Sequence, residues 1–164
     1  MQCTRMSLAA AGAALALTAL ATPVTHAQPS GPSAAVYNVI VSDVDRDQVM
    51  DDGRGRVLSW GRHDGLNQQW ELIDMTDDTF QIKARTGACA AALTSHGEVL
   101  TQPCDRRKLS QHWYVIRHGS RTSFENVEQE SQCLTKAEDY QATVVTDCNG
   151  AKAQNWRLTT PLLT

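Results

Sequence analysis

The chain lacks the short signatures of several chemistries. It holds no CxxC and no HExxH, so thiol redox chemistry and a helical zinc site have no footing. It also holds no GxSxG, no phosphate loop and no paired carboxylates on opposing elements, and His96, His112 and His118 are scattered with no nucleophile beside them. These absences argue against an enzyme, and no cofactor or metal is expected. Cations are in short supply: 15 Lys and Arg stand against 18 Asp and Glu, for a net charge of −3. Such a surface gains nothing from phosphates, so nucleic acid is not an expected partner. No basic amphipathic segment is present, and membrane insertion is not expected either.

Long apolar runs are missing too, with one exception at the start. Arg5 is followed by the Ala/Leu-rich run Ser7 to Thr22, and Thr25-His26-Ala27 puts small residues where a signal peptidase reads. The run is short for a bilayer core of about 30 Å. Residues 1–27 therefore read as a secretory signal, and the protein is expected outside the cell. Cys3 leaves with the signal, and the Pro/Gly/Ser-rich residues 28–35 read as a flexible leader. The remaining chain has 14 basic and 18 acidic residues and the size of one domain. It keeps four cysteines, Cys89, Cys104, Cys133 and Cys148, an even number that reads as disulfides in an exported chain.

What is present is a rhythm. "NQQWEL" (Asn67 to Leu72), "SQHWYV" (Ser110 to Val115) and "AQNWRL" (Ala153 to Leu158) share Gln-x-Trp, and Trp70, Trp113 and Trp156 stand 43 residues apart. Tyr37, Phe80 and Phe124 precede them by 33, 33 and 32, while 89 to 104 and 133 to 148 are both steps of 15. Each unit reads as four short strands: "YNVIV", "FQIKA" and "FENVE" open it behind an aromatic; "VMD", "CAAAL" and "CLT" follow; "RVLSW", "EVLTQ" and "TVVTD" come third; the Gln-x-Trp strand closes it. One unit cannot bury its apolar face alone, so three must close about a common axis. The expected fold is all-β: a β-trefoil over residues 36–164, with repeats at about 36–78, 79–122 and 123–164.

Three Gln-x-Trp motifs in register, with cysteine pairs inside the repeats, resemble the ricin B-type lectin family from Tyr37 to about Thr160; "CLTKAEDYQATVVTDCNGAKAQNW" (Cys133 to Trp156) fits its pattern most closely. The resemblance implies bridges Cys89–Cys104 and Cys133–Cys148, each worth about 3 kcal/mol on the chain-entropy view. Val49 and Arg62 stand where the first repeat would have its cysteines. It also implies core roles for the three tryptophans and backbone-satisfying roles for Gln68, Gln111 and Gln154.

In that family a working sugar site takes from one repeat an Asp for vicinal hydroxyls, an aromatic platform on the third strand and an Asn before the Gln. The second repeat has Ala91, Gln102 and Ser110 at those places, and the third has Thr135, Thr146 and Ala153. The first offers Trp60, Asn67 and Gln68, with Asp51 as the acid; Asp45 and Asp43 are the alternatives. Trp60 could instead be a core-edge residue, and His63 could line the rim.

The acidic stretch "DVDRDQVMDDG" (Asp43 to Gly53) also invites a calcium reading. Asp43, Asp45 and Asp47 suit positions 1, 3 and 5 of an EF-hand, but Gln48 replaces the required Gly and Arg54 the bidentate Glu. "DVDRDQ" reads as a solvated turn. Two functions follow: a secreted lectin for galactose-like or related sugars on a glycan or glycoconjugate, or a trefoil that has lost sugar binding and binds a protein, as a proteinase inhibitor or a toxin or enzyme accessory subunit.

Overall fold

The computed structural model describes residues 34–161. The expected signal, residues 1–27, and residues 28–33 of the leader lie outside the described residues. The first repeat holds β1 (Tyr37–Ser42), β2 (Gln48–Gly53), β3 (Arg56–Gly61) and β4 (Trp70–Asp74). The second holds β5 (Phe80–Ala84), β6 (Ala88–Ala92), β7 (Val99–Pro103) and β8 (His112–His118). The third holds β9 (Arg121–Asn126), β10 (Gln132–Thr135), β11 (Val144–Asp147) and β12 (Trp156–Thr159). A single turn of 3-10 helix precedes each Gln-x-Trp strand, at Leu66–Gln68, Leu109–Gln111 and Lys152–Gln154.

The first and fourth strands of the repeats close a ring, β1–β4–β5–β8–β9–β12 and back to β1, with every pairing antiparallel. Closure leaves the ring without an open edge. The hairpins β2–β3, β6–β7 and β10–β11 cap one end and are stitched to one another by backbone bonds, among them Thr143 N to Val57 O (2.7 Å) and Val99 N to Thr143 O (2.9 Å). The expected β-trefoil is the observed fold.

The three tryptophans of the motif are fully buried at its centre. Each indole N–H donates to the carbonyl in the middle of its own repeat's second strand: Met50 (3.0 Å), Ala90 (3.2 Å) and Leu134 (3.1 Å). The motif glutamines are buried as well. Each Nε2 donates to the carbonyl that ends the third strand, Gly61 (2.9 Å), Pro103 (3.0 Å) or Asp147 (2.8 Å). Each Oε1 receives backbone N–H groups of the following loop. Here Gln-x-Trp is a device for satisfying buried backbone.

One expected register differs. Tyr37, Phe80 and Phe124 do not occupy equivalent places. The preceding first-strand partners of Trp70, Trp113 and Trp156 are Asn38, Phe80 and Thr122. The symmetric core residues therefore lie two further on, at Ile40, Ile82 and Phe124, all fully buried in one cluster. Loop lengths vary by up to two residues between repeats while the hydrogen-bonded register does not, so equal sequence intervals do not mark equivalent places.

Both implied disulfides are present, with Cα atoms 5.0 Å apart in each. In the first repeat Val49 packs with Val39 and Val41 as a small buried cluster, and Arg62 pairs with Asp64 at 3.0 Å. Without a bridge, backbone pairing holds the two segments together there, with Arg62 N donating to Asp47 O at 2.8 Å.

Asp43 corrects the reading of "DVDRDQ" as a wholly solvated turn. Its carboxylate is 5% exposed and lies between Arg157 Nη2 (2.8 Å) and Arg121 Nε (3.0 Å) of the third repeat. Burial alone would raise its pKa; the Arg157 hydrogen bond and the charges of Arg121, Arg157 and Lys152 outweigh it and hold the group below the usual carboxylate range. A depressed carboxylate stabilises the fold above its unfolded pKa of about 3.9. That contribution is lost as pH falls through the folded value. Asp43→Asn should cost about 1–3 kcal/mol near neutrality, and the gap to the parent should close below about pH 4 in paired unfolding curves. A gap of the same size in acid would show that the pair carries no ionic stabilisation.

Candidate functional site

The β2–β3 hairpin builds one wall of a cleft. Strand alternation and register put Asp51 opposite Leu58, Trp60 opposite Val49 and Arg56 opposite Gly53, all on one face. The cleft has a volume of about 590 Å³ and is lined on this side by Asp51, Gly53, Arg54, Arg56, Leu58 and Trp60. Gly53 keeps the cleft open, because a Cβ there would lie 2.6 Å from Leu58 Cδ1 and 3.2 Å from Asp51 Oδ1 and would make the Leu58 side chain shift.

Asp51 is 4% exposed, and a single oxygen carries its internal bonds. Oδ2 accepts from Asn67 Nδ2 (2.8 Å) and Gln68 Nε2 (2.9 Å), with His63 Nε2 at 3.5 Å. His63 Nδ1 accepts from Gly65 N at 3.1 Å, with Nε2 turned toward Asp51. Among the described residues nothing donates to Asp51 Oδ1, which is left for the cleft. Trp60 is 40% exposed, the only motif-free tryptophan and the only exposed one.

The structure thus brings Asp51, Trp60 and Asn67 to one cleft. Gln68 needs correction as a contact residue: it is fully buried, with both ends of its amide bonded internally. It is a positioning residue that aims Asp51. The alternative acids are elsewhere. Asp43 is held in its ion pairs, and Asp45 Oδ1 accepts from Asp47 N at 3.0 Å within the turn.

Sequence comparison within one repeat missed the part of the lining that the third repeat adds beside β3, where Ser59 N donates to Gln141 O at 2.9 Å and Leu58 pairs with Ala142. Tyr140, Gln141 and Ala142 of the β10–β11 loop line the cleft from the third repeat. Tyr140 meets Trp60 edge to face, with ring centroids 4.9 Å apart at 83°. Lys136, 7% exposed, fixes that loop by donating to Asp139 Oδ1 (2.5 Å) and Ala137 O (3.2 Å). The one signal available was an aromatic residue within the polar run "KAEDYQ".

The equivalent places in the other repeats differ in kind. In the third, Thr135 and Thr146 hydroxyls bond one another at 2.8 Å and take up Gln154 Nε2 (3.4 and 3.1 Å), so the polar groups satisfy themselves. In the second, exposed Leu93 and Leu109 with Gln102 line a shallower hollow. Among the described residues no group of three His, Cys, Asp or Glu side chains could hold a metal ion. No described helix is long and apolar enough to cross a membrane.

A closed trefoil with one cleft that pairs an open carboxylate oxygen with an exposed indole has the form of a carbohydrate-binding module. The sequence matches the ricin-type beta-trefoil lectin domain over residues 41–156, and the chain belongs to that family. A sequence search among curated proteins found no match. Among solved structures, the chain is similar to a designed three-fold symmetric protein, ThreeFoil (TM-score 0.68, 19% identity, 75% of this chain and 97% of that one). It is similar to the Haemophilus ducreyi cytolethal distending toxin (0.68, 20%, 92% and 97%). It is also similar to the Macrolepiota procera ricin B-like lectin, solved with lactose (0.65, 13%, 80% and 100%). At these identities the likeness bears on the fold. Membership of the lectin family supports a carbohydrate-binding role.

Proposed function

We propose that the protein is a secreted lectin that binds galactose-like or related sugars, without metal or catalysis, through the first-repeat cleft. The observation that carries this is Asp51: a nearly buried carboxylate aimed by Asn67 and Gln68, with one oxygen free beside the exposed Trp60. A pyranose needs such an acceptor for adjacent hydroxyls and a flat apolar surface for its C–H face. Asn67 Nδ2 sits where a second hydroxyl would find its donor.

A single contact of this kind is weak, since a millimolar site amounts to about 4 kcal/mol. Useful binding then requires several copies or a multivalent target. The test is a glycan array with residues 28–164, run clustered for avidity beside Trp60→Ala. Binding to terminal galactosides that disappears in the variant, with the fold retained, is the expected result. Silence from both proteins sinks the lectin reading and leaves the protein-binding one.

A further inference from the structure

We propose that the cleft is selective for acidic sugars: a ring held by Trp60, Asp51 and Asn67, with a sulfate or carboxylate substituent held by Arg54. This rests on the cleft being the sugar site.

The charge balance of the cleft runs against that of the chain. The protein carries a net −3, yet the cleft sets the guanidinium groups of Arg54 and Arg56 against the single carboxylate of Asp51, with His63 and Tyr140 also in its lining. Asp51 is engaged by Asn67, Gln68 and His63. Arg56 is paired with Glu98 of the second repeat at 3.2 Å. Arg54 has no ion pair or hydrogen bond among the described residues.

Its backbone is the second observation. Arg54 and Gly55 form a two-residue turn between paired Gly53 and Arg56, with φ of 59° and 78°. Both positions are left-handed, which Gly, Asn and Asp adopt at little cost and a long side chain does not. The turn is anchored, because Gly55 O accepts from Thr101 N at 3.0 Å and Arg56 lies opposite Leu100. An arginine therefore occupies a left-handed position on an anchored turn that lines the cleft. Asp64, Asp78, His96, Ser131 and Tyr140 share the left-handed conformation, so the turn supports a role for Arg54 only together with its unpaired guanidinium beside the cleft.

The chemistry selects the ligand class. A guanidinium offers donors in a planar fork and no acceptor, which matches a carboxylate or sulfate far better than a neutral hydroxyl. The cleft, at about 590 Å³, has room beyond one pyranose ring for the substituent or a neighbouring sugar.

Calorimetric titration of the mature protein would use lactose, lactose sulfated on its galactose, and a galacturonic-acid-terminated disaccharide, each at low and at physiological salt. The acidic ligands should bind roughly tenfold tighter than lactose at low salt, with the advantage shrinking as salt rises. The sulfated and carboxylated arms identify which anion is favoured. Arg54→Gly, which relieves the turn and should not lower the melting temperature, should bring the affinity for acidic ligands down to that for lactose. An acidic preference that survives Arg54→Gly overturns the proposal. So does lactose binding that is sensitive to Trp60→Ala but matched by the acidic ligands, a result that leaves the lectin reading standing. No binding of any ligand, even by clustered protein, overturns both.

Discussion

Trp156→Ala should lower the free energy of unfolding by about 3–5 kcal/mol, whereas Trp60→Ala should cost less than about 1 kcal/mol. The residue type is the same and the duty is different. Trp156 is fully buried in the shared core, and its indole N–H satisfies the Leu134 carbonyl at 3.1 Å. Alanine there leaves a large void and an unpaired buried acceptor at once. The core is common to all three repeats, so the loss should appear as one cooperative transition shifted to lower denaturant, not as melting of the third repeat alone. Trp60 has 40% of its surface in solvent and contacts Tyr140 edge to face in the lining of the cleft. Its removal strips a platform and leaves the core untouched. Chemical denaturation of both variants decides the matter. If Trp60→Ala costs as much as Trp156→Ala, then Trp60 is a core-edge residue and the cleft has lost its apolar floor as a binding element.

The fold was legible because its most demanding requirements repeat at fixed intervals. Burying an indole with its N–H bonded calls for the same residue at the same place in each unit, and Trp70, Trp113 and Trp156 advertise that at steps of 43. The cysteine pairs, at a separation of 15, do the same. The core position Ile40, Ile82 and Phe124 was harder to see, since packing there asks only for apolar bulk and tolerates three kinds of residue. The decoy was chemical: Tyr37 is aromatic for a different reason, lying under the Arg85 guanidinium with 4.8 Å to its ring centroid.

The site was legible where it follows the repeat and illegible where it crosses repeats. Asp51, Trp60 and Asn67 fall into place by comparing three equivalent positions. Tyr140 belongs to another repeat, and its approach to Trp60 depends on a loop held by Lys136 and Asp139, which leaves no trace in spacing. Asp43 went unread for the same reason, because Arg157 lies 114 residues further along the chain. Gln68 illustrates a third limit. Its residue type points to the cleft, while its side chain is fully buried and does not line it.

Asp51→Asn should abolish detectable sugar binding while changing stability by less than about 1 kcal/mol. The asymmetry comes from the two oxygens. Oδ2 takes the hydrogen bonds of Asn67 and Gln68 at 2.8 and 2.9 Å, and an asparagine carbonyl in that place can accept both. Gln68 Nε2 also keeps its bond to Gly61 O at 2.9 Å, so little is orphaned. The oxygen facing the cleft becomes an NH₂ group, a donor where the ligand also presents donors. Losing a charge-assisted bond costs about 1.5–3 kcal/mol, a large part of the roughly 4 kcal/mol that a millimolar site provides. The checks are a clustered-glycan binding assay and a denaturation curve on the same preparation. Asp51→Ala is the contrasting variant: it should lose binding and also give up about 1 kcal/mol of stability, because Asn67 Nδ2 then loses its acceptor and Gln68 Nε2 one of its two. Unchanged binding by Asp51→Asn would remove the carboxylate from the site, and with it the reason for assigning the first repeat a role the other two lack.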